Sequence, residues 1–548
     1  MDAQDRELEN YDAEKGLDSD SSAETAAAPG DPDPDGASQT KEAEAEADLP
    51  KPPHDPWEVG WEENDPLHPR QSLSKARKWM ITFIIGASSV CVGMWGEYRE
   101  GKVIADMYLP IRTNVSSIYT STYGQIIPEF HTSREVATLG LSLFVLGLGI
   151  GPMVLSPLSE FYGRRPIYIG SFIFFFIWLI PCAVAHNAAT MLVCRFLDGV
   201  SGSAFLSVSG GTIRDMFMNH ELSGPMMVYS AAPFVGPEIG PLLGGFINQY
   251  TTWRWTFYLL LIWTAVQLAM ITLLVPETYP PVLLRRKAER LRKETGNGAW
   301  IAPIDKLDRS ITKTVMWSCI RPFQLLLLEP MCLCLCTLSA ILLGVLYLFF
   351  GALPLVFETN HGFTLWQTGT SFLGILVGMI IGVLTDPLWA RNYRRLLRQY
   401  EARTGQKGAS EPEFRLPPTI LGAFLVPISL FGEQRRTLGF EAIHMMANAD
   451  TDIWLAGFGW TTFPWVHWIA PILFSGLFGT GIILVYSGIF TFLVDCYPLY
   501  AASGLAANSF ARSVFAAAFP LFGNQMYQAL GYPWASSLLA FLTLGMAP

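Results

Sequence analysis

The chain has 548 residues, of which 51% are hydrophobic and only 15% charged. That balance excludes an ordinary soluble domain and reads as a protein that crosses a membrane many times. The formal net charge of −10 is uneven, because residues 1–66 hold 21 acids and 4 bases and leave 26 acids and 33 bases for the rest. The eight histidines are scattered, and no spaced His, Cys or carboxylate cluster suggests a catalytic or metal centre, so an enzyme is not expected.

In chain order, residues 1–69 are rich in Asp, Glu, Ala, Pro and Ser and cannot bury enough surface to offset ordering entropy. They are expected to form a disordered acidic cytosolic tail. Its start lacks the basic and apolar regions of a cleavable signal peptide, so the first apolar span would serve as the insertion signal. Apolar runs approaching the ~20 residues that a bilayer crossing needs then recur. They predict spans near 79–95, 136–157, 167–185, 189–211, 226–247 and 257–275, an N-terminal six-helix bundle over 70–275. A second bundle over 323–548 has spans near 331–357, 368–384, 420–431, 468–496, 501–522 and 533–548. Between them, 276–322 is a linker whose segment Leu284–Glu294 reads as a basic amphipathic helix, solvated or lipid-facing.

Lys and Arg collect after span two (Arg164, Arg165), after span six (Arg285 to Lys293) and after span eight (Arg391, Arg394, Arg395, Arg398). An even number of spans separates these clusters from the tail, so both termini and the linker are expected in the cytosol. Cys332 and Cys336 lie one helical turn apart but no His or carboxylate joins them, so they read as apolar filler rather than a metal site.

Three stretches carry chemistry. After span two, Ser156-Pro157-Leu158-Ser159-Glu160-Phe161-Tyr162-Gly163-Arg164-Arg165 puts a carboxylate beside two arginines. A degenerate copy, Gly382-Val383-Leu384-Thr385-Asp386 with Arg391, closes span eight, as duplicated halves predict. Span four holds Arg195 one turn before Asp198, and span five holds Gly236, Pro237, Glu238, Gly240, Pro241, Gly244 and Gly245. Such a helix permits close approach at its glycines, bends at its prolines and places a titratable group at membrane depth, where it is expensive without a task.

On these residues the chain resembles the major facilitator superfamily, and within it the fungal twelve-span drug:proton antiporters that export drugs, polyamines and toxins. Leu158, Glu160, Gly163, Arg164 and Arg165 resemble the loop motif G-x-L-x-D-r-x-G-r-r; Arg195 to Gly199 is similar to R-x-x-q-G; the span-five run is similar to G-x-x-x-G-P-x-x-G-G. Pro276-Glu277-Thr278-Tyr279-Pro280 and Trp253-Arg254-Trp255 also resemble that subgroup. The resemblance implies an all-α membrane protein of twelve transmembrane helices in two pseudo-symmetric six-helix bundles. Ser156, Glu160 and Phe161 depart from the loop motif, and Trp95–Asn114 and Gly432–Asp452 interrupt spans one and nine. Charges such as Glu97, Arg99, Glu100, Lys102 and Asp106 cannot lie in lipid at ~2.5–3.5 kcal/mol each. These insertions at 95–114 and 432–452 are expected to be retained untranslated sequence, or else two extracellular loops, and the chain ends with a short twelfth span and no cytosolic tail.

The resemblance implies proton-driven export of small amphiphilic or cationic molecules by alternating access, with no cofactor beyond the proton gradient. The partners are then a small-molecule substrate, protons and the bilayer, not nucleic acid, for a monomer in the plasma membrane or, alternatively, the vacuolar membrane. Proton coupling is expected at Arg195, Asp198 and Glu238, although an Arg195–Asp198 packing pair and a structural Glu238 stay open. Glu160, Gly163, Arg164, Arg165 and Asp386 suit a cytosolic gate or fix topology; Tyr347, Phe350, Tyr486, Asn508 and Arg512 are candidates for the substrate cavity. Uptake by symport and a non-functional product are the competing readings.

Overall fold

The computed structural model describes residues 57–546 except 62–64, 66, 92–114, 219–222, 307–310, 406–410, 431–457 and 498–500. The expected disordered tail up to residue 56, the expected insertions at 95–114 and 432–452 and the last two residues lie outside the described residues. Helices occupy the places of all twelve expected spans. In the first half these are α1 (Lys75–Cys91), α2 (Tyr123–Phe130), α3 (Arg134–Tyr162), α4 (Arg164–Ala183), α5 (Ala188–Gly202) with α6 (Ala204–Met216), α7 (Ser223–Tyr250) and α8 (Trp253–Leu274). Single turns at Val115–Ile118 and Tyr119–Thr122 lead into α2, which completes the first span.

The linker carries α9 (Pro280–Thr295) and α10 (Ile311–Leu328). The second half follows as α11 (Pro330–His361), α12 (Leu365–Ser371) with α13 (Leu373–Leu384), α14 (Asp386–Thr404), α15 (Pro417–Leu430), α16 (Ile469–Cys496), α17 (Ala501–Leu530) and α18 (Tyr532–Leu544). Among the described residues, eight helices are long and apolar enough to cross a membrane. The fifth span is not among them, because its glycines and prolines replace aliphatic side chains.

Local chemistry sets the helix ends. Ser133 Oγ accepts the Val136 N–H at 3.4 Å and Glu135 occupies the first turn of α3. Asn187 Oδ1 accepts the Thr190 N–H at 2.8 Å to open α5. Gly163, at φ +97°, ends α3 and lets α4 begin at the next residue, a turn that a side chain would strain.

The two halves repeat one packing scheme. In the first, the second span lies on the fourth so closely that a β-carbon at Gly199 would stand 2.9 Å from the Phe144 carbonyl carbon. In the second, a β-carbon at Gly378 on α13 would stand 2.8 Å from Gly476 Cα on α16, again the second span of its half on the fourth. Without a hydrophobic drive between helices in lipid, such glycine seams gain van der Waals contact instead. The halves meet along two equivalent seams, α7 with α12 and α17 with α3. Phe246 stacks on Trp366 at 5.5 Å in the first, and Gln525 Nε2 donates to Glu135 Oε1 at 3.1 Å in the second.

The apolar helix of the eighth span ends at Leu384, and a separate polar helix with no buried residue, α14, follows from Asp386. One expectation needs correction. The apolar face of α9 is not left to lipid or solvent: Leu284 and Ala288 are buried with Val59 and Ala302, with Trp61, Trp300 and Ile304 packed around them. Lys287 Nζ, at 2.6 Å from Asp65 Oδ2, fastens the segment before the first span to that helix.

Candidate functional site

A cavity of about 310 Å³ lies between the halves. Gln125, Arg134, Thr138, Pro241 and Asn248 line it from the first half, and Tyr347, Phe350, Glu358, Thr368, Phe372 and Asn524 from the second. Tyr347 meets Phe350 edge to face at 5.2 Å, and Phe350 stacks on Phe372 at 5.5 Å. Tyr347 and Phe350 therefore both line this cavity.

Tyr486, Asn508 and Arg512 do not line this cavity, which corrects that part of the reading. Their helices turn these side chains toward α11 and α7 instead. The Tyr486 hydroxyl donates to Ser339 O at 2.7 Å, and its ring stacks on Phe234 at 4.6 Å. The Ser339 hydroxyl donates to Asn508 Oδ1 at 3.1 Å, and the Arg512 guanidinium lies over Tyr486 and Phe490 at 5.3 and 4.9 Å. Cys336 Sγ, 3.8 Å from Cys332 Sγ, contacts Asn508 Nδ2 at 3.7 Å. Among the described residues no group of three or more His, Cys, Asp or Glu is placed to hold a metal ion.

Arg195 and Asp198 are both fully buried. The Arg195 guanidinium lies 4.4 Å from the Tyr119 ring centroid and 4.8 Å from that of Phe144, a cation–π cage directly behind cavity-lining Thr120 and Leu141. Asp198 Oδ2 is 4.0 Å from Cys182 Sγ. Glu238 is also fully buried, and neither of its oxygens has a hydrogen-bond partner among the described residues. It sits mid-way along α7, one turn after Phe234 and one before cavity-lining Pro241. Gly236, Pro237, Gly240 and Pro241 are buried on the same helix. Gly244 faces Ser121, and Gly245 faces Leu365 O, where a β-carbon would approach to 2.8 Å in each case.

At the far end of α3 the arginines have partners that the local sequence pattern did not supply. The backbone N–H groups of Arg164 and Arg165 donate to Glu277 at 2.9 and 3.2 Å, and those of Thr278 and Tyr279 donate to the same carboxylate at 3.0 Å each. Arg164 Nε pairs with Asp215 Oδ2 at 3.3 Å, and its Nη1 donates to Ser159 Oγ at 2.6 Å. Glu160 is thus not the carboxylate that holds these arginines. Glu277 belongs to the Pro-Glu-Thr run before the linker, which was the sequence signal for it.

The second half repeats the arrangement with Arg415, whose Nε pairs with Asp495 Oδ2 at 2.9 Å. Arg164 precedes the third span and Asp215 closes the fourth; Arg415 precedes the ninth and Asp495 closes the tenth. Arg391, the expected counterpart, instead lies on α14 beside Arg394, Arg395 and Arg398 at a surface pocket. Asp386 opens α14, and among the described residues it forms no ion pair.

Two helical halves built on one repeated plan, a small cavity between them and charged side chains buried beside it define a membrane transporter. A family model described as Major Facilitator Superfamily matches residues 107–432, and the chain belongs to that superfamily. It is 60% identical over 401 residues to the efflux pump atB of Aspergillus terreus, covering 73% of this chain and 79% of that one. It is 37% identical over 495 residues to the probable drug/proton antiporter YHK8 of Saccharomyces cerevisiae, covering 90% and 86%. The multidrug transporter mdrA of Aspergillus fumigatus is 39% identical over 502 residues, covering 90% and 73%. Among solved structures, the human organic anion transporter MFSD10 (TETRAN) aligns at a TM-score of 0.52 and 15% identity over 87% of this chain and 100% of that one, a likeness of fold. The chain is an all-α membrane protein of the major facilitator fold, grouped with fungal drug-efflux proteins.

Proposed function

We propose that this protein is a proton-coupled exporter of small amphiphilic or cationic compounds such as drugs, polyamines, toxins or secondary metabolites, working by alternating access. The observation that carries the reading is Glu238: a fully buried carboxylate whose oxygens have no hydrogen-bond partner among the described residues, in the middle of α7. An ionised carboxylate in such a place costs several kcal/mol unless it is compensated. It suits a group that is neutral in one state and gives up its proton when the cavity opens to water. Arg195 keeps its charge throughout and acts as a fixed positive centre one turn from Asp198. The glycines and prolines of α7 supply the bend and the close approach that rocking of one half on the other needs.

The arginine-rich end of the molecule is then the cytosolic end, with both termini there, in a monomer of the plasma membrane that uses the proton gradient and no cofactor. Gly163, Arg164 and Arg165 serve the cytosolic gate by bracing the start of α4. An efflux-deficient yeast expressing the full chain tests the reading across a compound panel. Wild type should raise tolerance to some compounds, and Glu238→Gln should abolish that tolerance at equal membrane abundance. Unchanged tolerance in the variant would remove Glu238 from the coupling role. Proton counterflow in vesicles separates export from symport.

A further inference from the structure

The polar lining of the cavity narrows what it takes, a step that rests on the exporter reading above. Asn248 is 6% exposed, and its Nδ2 donates to Gly244 O at 2.8 Å and to Thr256 Oγ1 at 3.2 Å. A carbonyl can only accept, so these bonds fix the amide and leave Oδ1 as an acceptor; that oxygen has no hydrogen-bond partner among the described residues. Across the cavity, Thr368 is 2% exposed and its hydroxyl is likewise without a partner among the described residues. Its neighbour Thr370 bonds back to Gln367 O at 2.6 Å, as helix threonines commonly do, and Thr368 does not. The Asn524 amide oxygen is a third such atom on the same cavity.

Buried polar atoms are almost always bonded, so four on one cavity, the Tyr123 hydroxyl being the fourth, point to partners brought by its occupant. The Asn248 oxygen, fixed by the bonds of its amide nitrogen, can only accept, so the occupant must donate to it. The charged lining groups, Arg134 and Glu358, are of opposite sign and exposed, and do not select a net charge. Tyr347, Phe350 and Phe372 offer ring faces and edges, and about 310 Å³ lies at the small end of the ~300–1,000 Å³ range of ligand sites. We infer that the preferred cargo of this cavity is a small uncharged aromatic compound with two or more hydroxyl groups, which bridges Asn248 of the first half to Thr368 and Asn524 of the second. Because its hydroxyls reach both halves, such a cargo binds best when the halves are closed around it.

The test is binding of tritiated orcinol, a dihydroxytoluene, to the purified full-length chain, with three competitors: orcinol, its dimethyl ether and phenyltrimethylammonium. Orcinol should compete at concentrations at least about tenfold lower than either of the others, since a lost hydrogen bond in a dry site is worth on the order of tenfold. Thr368→Val, which replaces only the hydroxyl by a methyl group, should weaken orcinol several-fold and leave the dimethyl ether unchanged. Asn524→Leu should do the same. Equal competition by the dimethyl ether, preference for the cation, or equal weakening of diol and diether in both variants would each overturn the inference. None of these outcomes bears on the exporter reading, which the yeast tolerance assay judges without these probes.

Discussion

Replacing Glu277 by Gln removes the charge from a carboxylate, 7% exposed, that accepts four backbone N–H groups at the junction of α3, α4 and the linker. Gln keeps one acceptor oxygen for the Arg164, Thr278 and Tyr279 N–H groups, but turns an NH₂ against the Arg165 N–H. Hydrogen bonds to a charged group contribute ~1.5–3 kcal/mol net and neutral ones ~0.5–1.5 kcal/mol, so the change weakens three bonds and deletes a fourth. A further ~0.3–1 kcal/mol comes from the lost anion at the N-terminus of α4. Bonds to one carboxylate are not additive, so the total is about 3–5 kcal/mol. The Glu160 side chain makes no hydrogen bond or ion pair among the described residues, and Glu160→Gln should change stability by less than about 0.5 kcal/mol. The assay is the thermal midpoint of the detergent-purified full chain. At ~2–4 °C per kcal/mol for domains of 150–250 residues, and less for a longer chain, Glu277→Gln should lower the midpoint by roughly 5 °C. A midpoint within about 1 °C of wild type, or a larger loss in Glu160→Gln, would refute the assignment of Glu277 as the anchor.

Two more outcomes follow from the same geometry. Lys287→Met should cost about 3–5 kcal/mol, because it leaves the Asp65 carboxylate, 4% exposed, without its cation, and the double variant with Asp65→Asn should recover most of that loss in the same melt. Gly378→Ala should abolish accumulation of folded protein, since its β-carbon would meet the Gly476 backbone; Gly170→Ala, with nothing within 4 Å of the added carbon, should be silent in the same expression assay.

The span pattern was legible because bilayer thickness writes itself into the chain as apolar runs, and helices stand at each of the twelve. The residues Arg195, Asp198 and Glu238 were legible for the complementary reason, that charge inside such a run is conspicuous. Partners were not legible. Asp215 is 51 residues from Arg164, Glu277 is 113 away and Asp495 is 80 from Arg415, separations at which local pattern carries no signal. Arg391 misled because linear spacing does not reveal that α14 carries it away on a polar helix. Tyr486 and Arg512 misled because a span's rotation about its own axis, which decides what a side chain faces, is set by its neighbours.

The placement of the two arginine pairs also changes what the charged loops can do. Arg164–Asp215 lies wholly in the first half and Arg415–Asp495 wholly in the second, each joining the start of a third span to the end of a fourth. Neither pair crosses from one half to the other. They brace each half as a rigid body, and rocking the halves apart leaves them intact. What crosses between the halves midway along α3 is Gly149 against Ser513, with the neighbouring Arg512 guanidinium 5.9 Å from the Phe234 ring. Parting these contacts leaves both arginine–aspartate pairs intact, so neither pair adds to the energy that separates the closed and open arrangements. On the proposed reading, the proton on Glu238 and the cargo then act on the contacts between the halves and not on these braces.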